Sequence, residues 1–316
     1  MTNENLLVSI TVITYNSSKY VLDTLESAKQ QTYQNIELII SDDCSTDNTV
    51  DICKDWLEKN KGRFIRSEII TIDHNTGIPA NCNRAIKVCK GEWIKGIAGD
   101  DILLPNCVED CVTYILDKPY IKFLFSKVNV ITKNKKLGEE FLSKAMTYGI
   151  FNLSSNEQYK HLLHFGNCIF APTLFVNSNA IRLFSGYDER IPLLEDYPMW
   201  LKVTKGNVKL YLLDKITVMY RINEQSTSLS ENNKKFIQSL ALCYILYEYK
   251  PLAHENRWGS LENYIRCKLM LSRTKHIYFL YKVIYIPFLL RTYIIKILKF
   301  TPNKTIKMIY DKFNKR

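Results

Sequence analysis

The sequence predicts an α/β protein, with a mainly parallel sheet carrying helices on both faces and a C-terminal helical extension. Three observations carry that expectation. Strand-like and helix-like stretches alternate in βαβαβαβ order through residues 7–97, which makes successive strands parallel and places the connecting helices on the sheet faces. Polar and acidic residues follow each apolar strand, where an open parallel sheet binds its ligands. From about residue 232 onward the pattern is helical.

Each element has its own justification. Leu7-Val-Ser-Ile-Thr-Val-Ile-Thr14 is apolar and β-branched, as a strand covered on both faces is. Ser17 or Ser18 is placed to cap a helix over about 20–31. Residues 36–41 read as a second strand, and Ser45-Thr-Asp-Asn-Thr49 opens a helix reaching about 59. A third strand over 67–73, a helix over 78–89 and a strand over 93–97 complete the series. The residues just past these strands, Thr14-Tyr-Asn16, Asp42-Asp43, His74-Asn75 and Asp100-Asp101, should converge on one sheet edge. Beyond Asp101 the pattern loosens: strands are expected over 123–131, 169–176, 208–213 and 217–220, and a helix over 196–205. This gives a first domain over 1–225 and a helical C-terminal region over 226–316.

Composition narrows the class. Hydrophobic residues make up 46% and charged residues 24% of the 316, which excludes a disordered or low-complexity chain. No run approaches the roughly 20 apolar residues of a spanning helix. The start lacks a basic then apolar leader, and nine scattered cysteines without a CxxC read as reduced thiols of a cytosolic protein. From 272 to 316 eleven Lys and Arg face Asp311 alone, so the tail holds almost all of the net charge of +11. The main body therefore gives no reason to invoke nucleic acid. The tail interleaves Lys and Arg with Ile, Leu, Tyr and Phe, a composition suited either to an anionic membrane surface or to a helical appendage with a solvated basic face.

Three acidic pairs carry the candidate chemistry. Asp100-Asp101 lies in Ile97-Ala-Gly-Asp-Asp-Ile-Leu-Leu-Pro-Asn106. Adjacent carboxylates repel, and hard oxygens of this kind suit Mg2+ or Mn2+ shared with substrate phosphates. Ala98 and Gly99 leave room for a ligand at the backbone; an acidic turn capping the next helix explains the same residues. Asp42-Asp43, in Ser41-Asp-Asp-Cys-Ser-Thr-Asp47, fits either a helix start capped by Asp47 or Ser45, or acceptance of a uracil imide N–H. Glu195-Asp196, in Leu193-Leu-Glu-Asp-Tyr-Pro-Met-Trp200, opens a helix, where the dipole favours acids. Its functional reading is an Asp that takes a proton from an acceptor hydroxyl in a cleft walled by Pro198 and Trp200.

In order, Val8-Ser-Ile-Thr-Val-Ile-Thr-Tyr-Asn16, Ile40-Ser-Asp-Asp-Cys-Ser-Thr-Asp-Asn-Thr49, Asn75-Thr-Gly77 with Asn83, Gly91-Glu-Trp-Ile94, Ala98-Gly-Asp-Asp101 and Glu195-Asp196 resemble the successive signatures of glycosyltransferase family 2, with the GT-A fold, over roughly residues 6–225. The resemblance implies that Thr14, Tyr15 and Asn16 would line a nucleotide pocket, with Tyr15 against the base. Asp43 would hydrogen-bond the base, most often uracil. Asn75, Gly77 and Arg84 would lie near the diphosphate or ribose, and Arg221 would belong to the same nucleotide-sugar site. Of Asp100 and Asp101, one would bind a divalent cation, Mn2+ or Mg2+, and the other would contact ribose or the sugar. Asp196 would be the general base, with Glu195 supporting it or the cation.

The chain departs from the family's pattern at Ala98, where Asp is common, at Cys82, where Arg is common (Arg84 follows two residues on), and at Asn223, where His is common. The reaction implied is inverting transfer from a nucleotide-sugar, a UDP-sugar by preference, to a glycan or lipid-linked glycan in bacterial surface-polysaccharide assembly. The enzyme would be cytoplasmic and peripheral on the inner face of the cell membrane. The alternative is a non-catalytic nucleotide-sugar-binding or scaffolding protein of the same fold. A nicotinamide dehydrogenase needs a Gly-rich turn after the first strand, and a P-loop NTPase needs GxxxxGK[ST]; Thr14-Tyr-Asn-Ser-Ser18 has no glycine and the second motif is absent. His161 and His164 read as a structural or surface pair, and Cys107 and Cys111 as packing residues on one helix face. The long C-terminal helices could pair between chains in an oligomer.

Overall fold

A computed structural model describes residues 6–132, 138, 148–222, 234–255 and 257–271. The Asn223 position and the basic tail lie outside the described residues. The chain divides into two compact units, Met1–Ser239 and Leu240–Arg316.

The first unit is built on an eight-stranded sheet. Its strands are β1 (Val8–Thr14), β2 (Ile36–Asp42), β3 (Arg66–Ile70), β4 (Trp93–Ala98), β5 (Ile102–Leu103), β6 (Phe123–Ile131), β7 (Phe175–Asn177) and β8 (Leu210–Arg221), in the order β3-β2-β1-β4-β7-β6-β8-β5. β3, β2, β1 and β4 are mutually parallel. β7 runs antiparallel to both β4 and β6, β6 and β8 are parallel, and β5 is antiparallel to β8. Helices α1 (Val21–Lys29), α2 (Thr49–Asn60), α3 (Ile78–Val88), α4 (Cys107–Ile115), α5 (Ser155–Phe165), α6 (Ser178–Leu183) and α7 (Asp196–Lys205) connect them.

Packing follows from the patterns. Val8, Ile10, Val12, Ile36, Leu38 and Ile40 are wholly buried, and so are the intervening Ser9, Glu37, Ile39 and Ser41, so β1 and β2 are covered on both faces. α1 buries Val21, Thr24, Leu25 and Ala28 at helical spacing. Cys107 and Cys111 are buried on one face of α4, as expected of packing residues. Glu37 on β2 is buried, and Oε1 accepts Ser9 Oγ and the Lys90 and Gly91 N–H groups while Arg66 binds Oε2. Burial alone would raise its carboxyl, but these donors outweigh burial and hold it below the usual range.

Four expectations are corrected. Neither Ser17 nor Ser18 caps α1 with its side chain. Their N–H groups donate to Thr49 Oγ1 and Asp47 Oδ2, and the Ser17 carbonyl accepts from Tyr20 and Val21. The strand expected over 169–176 shrinks to β7 behind a 3-10 turn, Ala171–Thr173, where Pro172 lacks a ladder donor. The strands expected over 208–213 and 217–220 are one strand, β8. Its register against β6 jumps from Ser126↔Leu213 to Lys127↔Ile216, bulging out polar Asp214-Lys215. Trp200 walls no cleft: it is fully buried, edge-on to Phe125 at 4.8 Å.

The second unit is helical where described, continuing from α8 (Lys234–Cys243) through a π-turn, Tyr244–Glu248, to α9 (Tyr249–Glu255) and α10 (Arg257–Leu271). Tyr249 and Tyr264 stack at 4.4 Å. Among the described residues no helix is long and apolar enough to cross a membrane.

Candidate functional site

The carboxyl ends of β1, β2 and β4 lie side by side, with Thr14 opposite Asp42 and Ile13 opposite Ala98. Residues that leave these strands therefore share one edge, and hydrogen bonds fix them there. Thr14 Oγ1 donates to Asp42 Oδ2 at 2.7 Å, and the Asp43 N–H donates to the Thr14 carbonyl. Tyr15 is 50% exposed beside them. Asn16 adopts a left-handed φ of 51°, tolerated by Asn. Its Oδ1 accepts Thr46 N–H and its own N–H donates to Ser45 Oγ, so Asn16 fastens the β2–α2 loop against the end of β1.

Asp43 is the hub of a cradle. Oδ2 accepts the Thr76 and Gly77 N–H groups at 3.0 and 2.7 Å, and Oδ1 accepts Thr76 Oγ1 and an Arg84 guanidinium N–H, both at 2.6 Å. Burial works against its charge, yet these donors win and hold the carboxyl below the usual range. Arg84 also donates to Thr76 Oγ1 and Asn81 Oδ1, and its buried Nε is unpartnered among the described residues. Asn81 donates to the Thr14 carbonyl and accepts Ser41 Oγ. Asn75 is exposed; its neighbours Thr76 and Gly77 make the contacts to Asp43.

Asp100 and Asp101 follow β4 at the other side of Thr14. A Cβ on Gly99 would stand 2.9 Å from Thr14 Cγ2 and 3.1 Å from Ser17 Oγ, so the small residue there lets the exits of β4 and β1 pack together. Asp101 is buried, its carbonyl accepting Thr24 Oγ1 and its Oδ1 accepting the Arg221 N–H at 2.8 Å. Arg221 Nε donates to the Asp100 carbonyl, its terminal nitrogen to Asp23, and its guanidinium lies 4.4 Å from the Tyr20 ring centre. Burial raises both carboxyls, and for Asp101 the Asp100 charge adds to it. Two adjacent desolvated carboxylates match a hard divalent cation, which neutralises what a proton otherwise must. Among the described residues no group of three or more His, Cys, Asp and Glu side chains is placed to hold a metal; a cation at this pair would need further oxygen ligands from outside it.

Glu195 and Asp196 begin α7, and the segment before them is fastened to α3. The Ile78 N–H donates to the Pro192 carbonyl. Asn83 accepts the Tyr187 N–H and donates to the Tyr187 carbonyl and Glu189. Cys82 lies between the groups, its thiol raised by burial and by the Glu195 charge, with Arg84 and Asp43 also acting on it. Glu195 is pushed up to about 8 by burial and then by the Asp196 charge. Asp196 is raised by burial, opposed by the Tyr197 N–H on Oδ1 and the Asn167 amide on Oδ2, both at 2.6 Å.

Of the residues singled out in the sequence, Asp43, Gly77, Arg84 and the Glu195-Asp196 pair gather around α3, while Asp100, Asp101 and Arg221 meet where β4, β5 and β8 end. Thr14 borders both groups. Sequence reasoning missed Asn81, Thr76 as a side-chain donor, and Asn167. The first two sit beside quoted motif residues; Asn167 follows the Gly166 turn at the end of α5, and nothing in its local pattern marks it. Buried Lys95 on β4 was also missed: its ammonium donates to the Pro172 and Leu174 carbonyls.

A sheet of this order with acidic strand exits defines the GT-A class, and comparison with known proteins gives the family. The Glycosyl transferase family 2 model matches residues 9–181, more than half of the chain, and the protein belongs to that family. An uncharacterized glycosyltransferase of Methanocaldococcus jannaschii is 28% identical over 236 residues, 74% of this chain and 77% of the relative. An Escherichia coli relative, UDP-Glc:alpha-D-GlcNAc-diphosphoundecaprenol beta-1,3-glucosyltransferase WfaP, is 27% identical over 75% of this chain and 85% of its own. Among solved structures, S. aureus TarS 1-349 in complex with UDP-GlcNAc superposes with a TM-score of 0.58 at 19% identity, covering 85% of this chain and 74% of that one. The chain spans 44% of the longer TarS chain. The protein is a glycosyltransferase of GT-A fold.

Proposed function

We propose that this glycosyltransferase moves a sugar from a UDP-sugar, with inversion at the anomeric carbon, to a hydroxyl of a lipid-linked glycan. The observation that carries the reading is the sorting of carboxyls between the sheet edge, which holds Asp43, Asp100 and Asp101, and the start of α7, which holds Glu195 and Asp196. Asp43 is held ionised by four donors, while the Asp100-Asp101 and Glu195-Asp196 pairs are raised. Carboxyls driven apart in this way are suited to different tasks.

In this reading the Thr14–Asn16 turn, Asp43 and Arg84 receive the nucleoside, with Tyr15 against the base. Asn75 and Gly77 border the ribose or diphosphate, and Arg221 braces the loop that carries Asp100 and Asp101. These two aspartates hold a divalent cation, Mn2+ or Mg2+, which when bound offsets the charge of the leaving diphosphate. Asp196 accepts the proton of the acceptor hydroxyl as that oxygen attacks the anomeric carbon from the face opposite the nucleotide. Glu195, protonated beside it, keeps a second negative charge away from the attacking oxygen. The UDP-GlcNAc of the TarS complex and the diphosphoundecaprenol acceptor in the WfaP name support the donor and acceptor classes.

The basic tail, 272–316, supports peripheral attachment to the inner face of the cell membrane, since each basic residue near an anionic surface contributes about 1 kcal/mol. Release of UDP from UDP-glucose, UDP-galactose, UDP-GlcNAc and UDP-GalNAc, with Mn2+ and with EDTA, tests the reaction. Turnover of one donor with Mn2+ and its loss in EDTA is expected; binding of UDP with no turnover of any donor would favour a non-catalytic sugar-nucleotide-binding protein. Vesicle pelleting with and without the tail tests the attachment.

A further inference from the structure

Asp196 has a partner outside every motif recognised in the sequence. Asn167 lies two residues past α5, after Gly166, whose φ of 80° turns the chain back. Its Nδ2 donates to Asp196 Oδ2 at 2.6 Å, and its Oδ1 accepts the Ile169 N–H at 3.1 Å. The second bond decides the direction of the first. A backbone N–H can only donate, so Ile169 binds the carbonyl end of the Asn167 amide and turns the NH2 end toward Asp196. The opposite orientation would set two oxygens against each other at 2.6 Å and two donors against each other at the far end. Asp196 Oδ1 is held in turn by the Tyr197 N–H. One donor on each oxygen fixes the plane of the carboxylate and leaves a lone pair of each oxygen for a substrate proton.

We infer that Asn167 is a positioning residue, which aims the Asp196 carboxylate at the acceptor hydroxyl through an amide locked in direction by the Ile169 N–H. The inference rests on the proposed role of Asp196 as base. The chemistry explains why an amide is used. A cationic partner would compete with the incoming hydroxyl for the carboxylate charge, whereas a neutral donor orients it and leaves it basic. Asn167 is exposed, so its substitution removes no core packing. Tyr187 faces both carboxyls and Cys82 faces Glu195; neither of them, nor Glu195, supplies a second side-chain donor to Asp196 Oδ2 among the described hydrogen bonds.

Asn167→Asp is the decisive variant. It keeps an oxygen for the Ile169 N–H and the same shape, but replaces the donor with a negative charge against Oδ2. With UDP release from the four UDP-sugars and Mn2+, kcat is expected to fall by about a hundredfold with the donor KM within about twofold, because misplacing a reacting group penalises the chemical step. Asn167→Ala should lose about tenfold in kcat, less than Asn167→Asp, and should keep the wild-type melting temperature, while both should keep the wild-type UDP affinity. Wild-type kcat in Asn167→Asp would overturn the inference, as would losses confined to KM. A second measurement needs no turnover. In the ligand-free protein the 15N-edited signal of the Asn167 side-chain NH2 is expected to lie downfield and to move upfield in Asp196→Asn. An unmoved signal would overturn the contact itself. Wild-type turnover in Asp196→Asn, with the NMR contact intact, would instead overturn the base assignment on which the inference stands.

Discussion

Arg221 and Asp101, 120 residues apart, are joined by a backbone N–H to carboxylate hydrogen bond of 2.8 Å. The two-residue strand β5 creates the contact by pairing Ile102 with Met219 and Leu103 with Val218 at the far edge of the sheet. The Arg221 side chain then closes on the Asp100 carbonyl and Asp23. The acidic loop is thus braced by a strand that enters the chain long after it.

Arg221→Ala leaves the backbone bond to Asp101 and removes the guanidinium bonds, including the charge-assisted one to partly exposed Asp23. Stability should fall by about 1–2 kcal/mol. Mn2+-dependent UDP binding should weaken more than UDP binding in EDTA, because the loop carrying both candidate cation ligands loosens. Calorimetric titration of UDP in the two conditions checks this; equal losses would count against a role of the loop in cation binding.

Asp43→Asn turns one end of a four-donor hub into a donor itself. Whichever way the amide faces, at least one N–H or O–H among Thr76, Gly77 and Arg84 loses its acceptor, at a cost of about 1–3 kcal/mol. Thermal unfolding should register that loss, and UDP affinity should drop by at least about tenfold.

Asp196→Asn should lower kcat by about a thousandfold, within the usual range for a general base, with UDP affinity unchanged. In the wild type, burial raises Asp196 and the neighbouring Glu195 is pushed up to about 8. A base works ionised, so kcat should rise with pH through an apparent value of the pair above the ordinary carboxylate range. A pH–rate profile flat from pH 5 upward would contradict this.

Gly77→Ala tests the link between the Asp43 cradle and the acid pair. Gly77 has φ 91° and ψ 165°, a region open essentially to glycine, so a side chain there costs about 1–3 kcal/mol. A Cβ would also lie 2.7 Å from the Pro192 carbonyl, which accepts the Ile78 N–H. Both the melting temperature and kcat should fall, since displacing Pro192 moves the segment that enters Glu195.

Glu37 predicts an acid limit on stability. Its carboxyl is lowered from an ordinary value of 4.5, so its stabilisation is present above that value and is lost as pH falls through the lower folded-state value. Melting temperature should therefore drop steeply below about pH 4.5 in the wild type and more gently in Glu37→Gln, which starts lower at neutral pH. Matching slopes would mean that other carboxyls dominate.

Apolar runs and their spacing determined the elements around the site. The strands beginning at Val8, Ile36 and Trp93 and the helix beginning at Ile78 were legible because β-branched runs and helical periodicity are local properties. The convergence of Thr14, Asp43 and Asp101 on one edge followed, because parallel strands joined by helices must all end on the same side. Asp100-Asp101 and Glu195-Asp196 stood out as charge pairs at element ends. Tertiary structure alone decided what each pair meets. Trp200, placed by its neighbours beside the site, is in the core because Phe125 from a distant strand covers it. Three of the four donors to Asp43 come from a loop over thirty residues away, and the fourth, Arg84, from the helix that follows it. Asn167 and Arg221 reach their aspartates from 29 and 120 residues away. Periodicity reports which face of an element is apolar; the partner of a polar group across the chain depends on how the layers pack, and local sequence does not encode that distance.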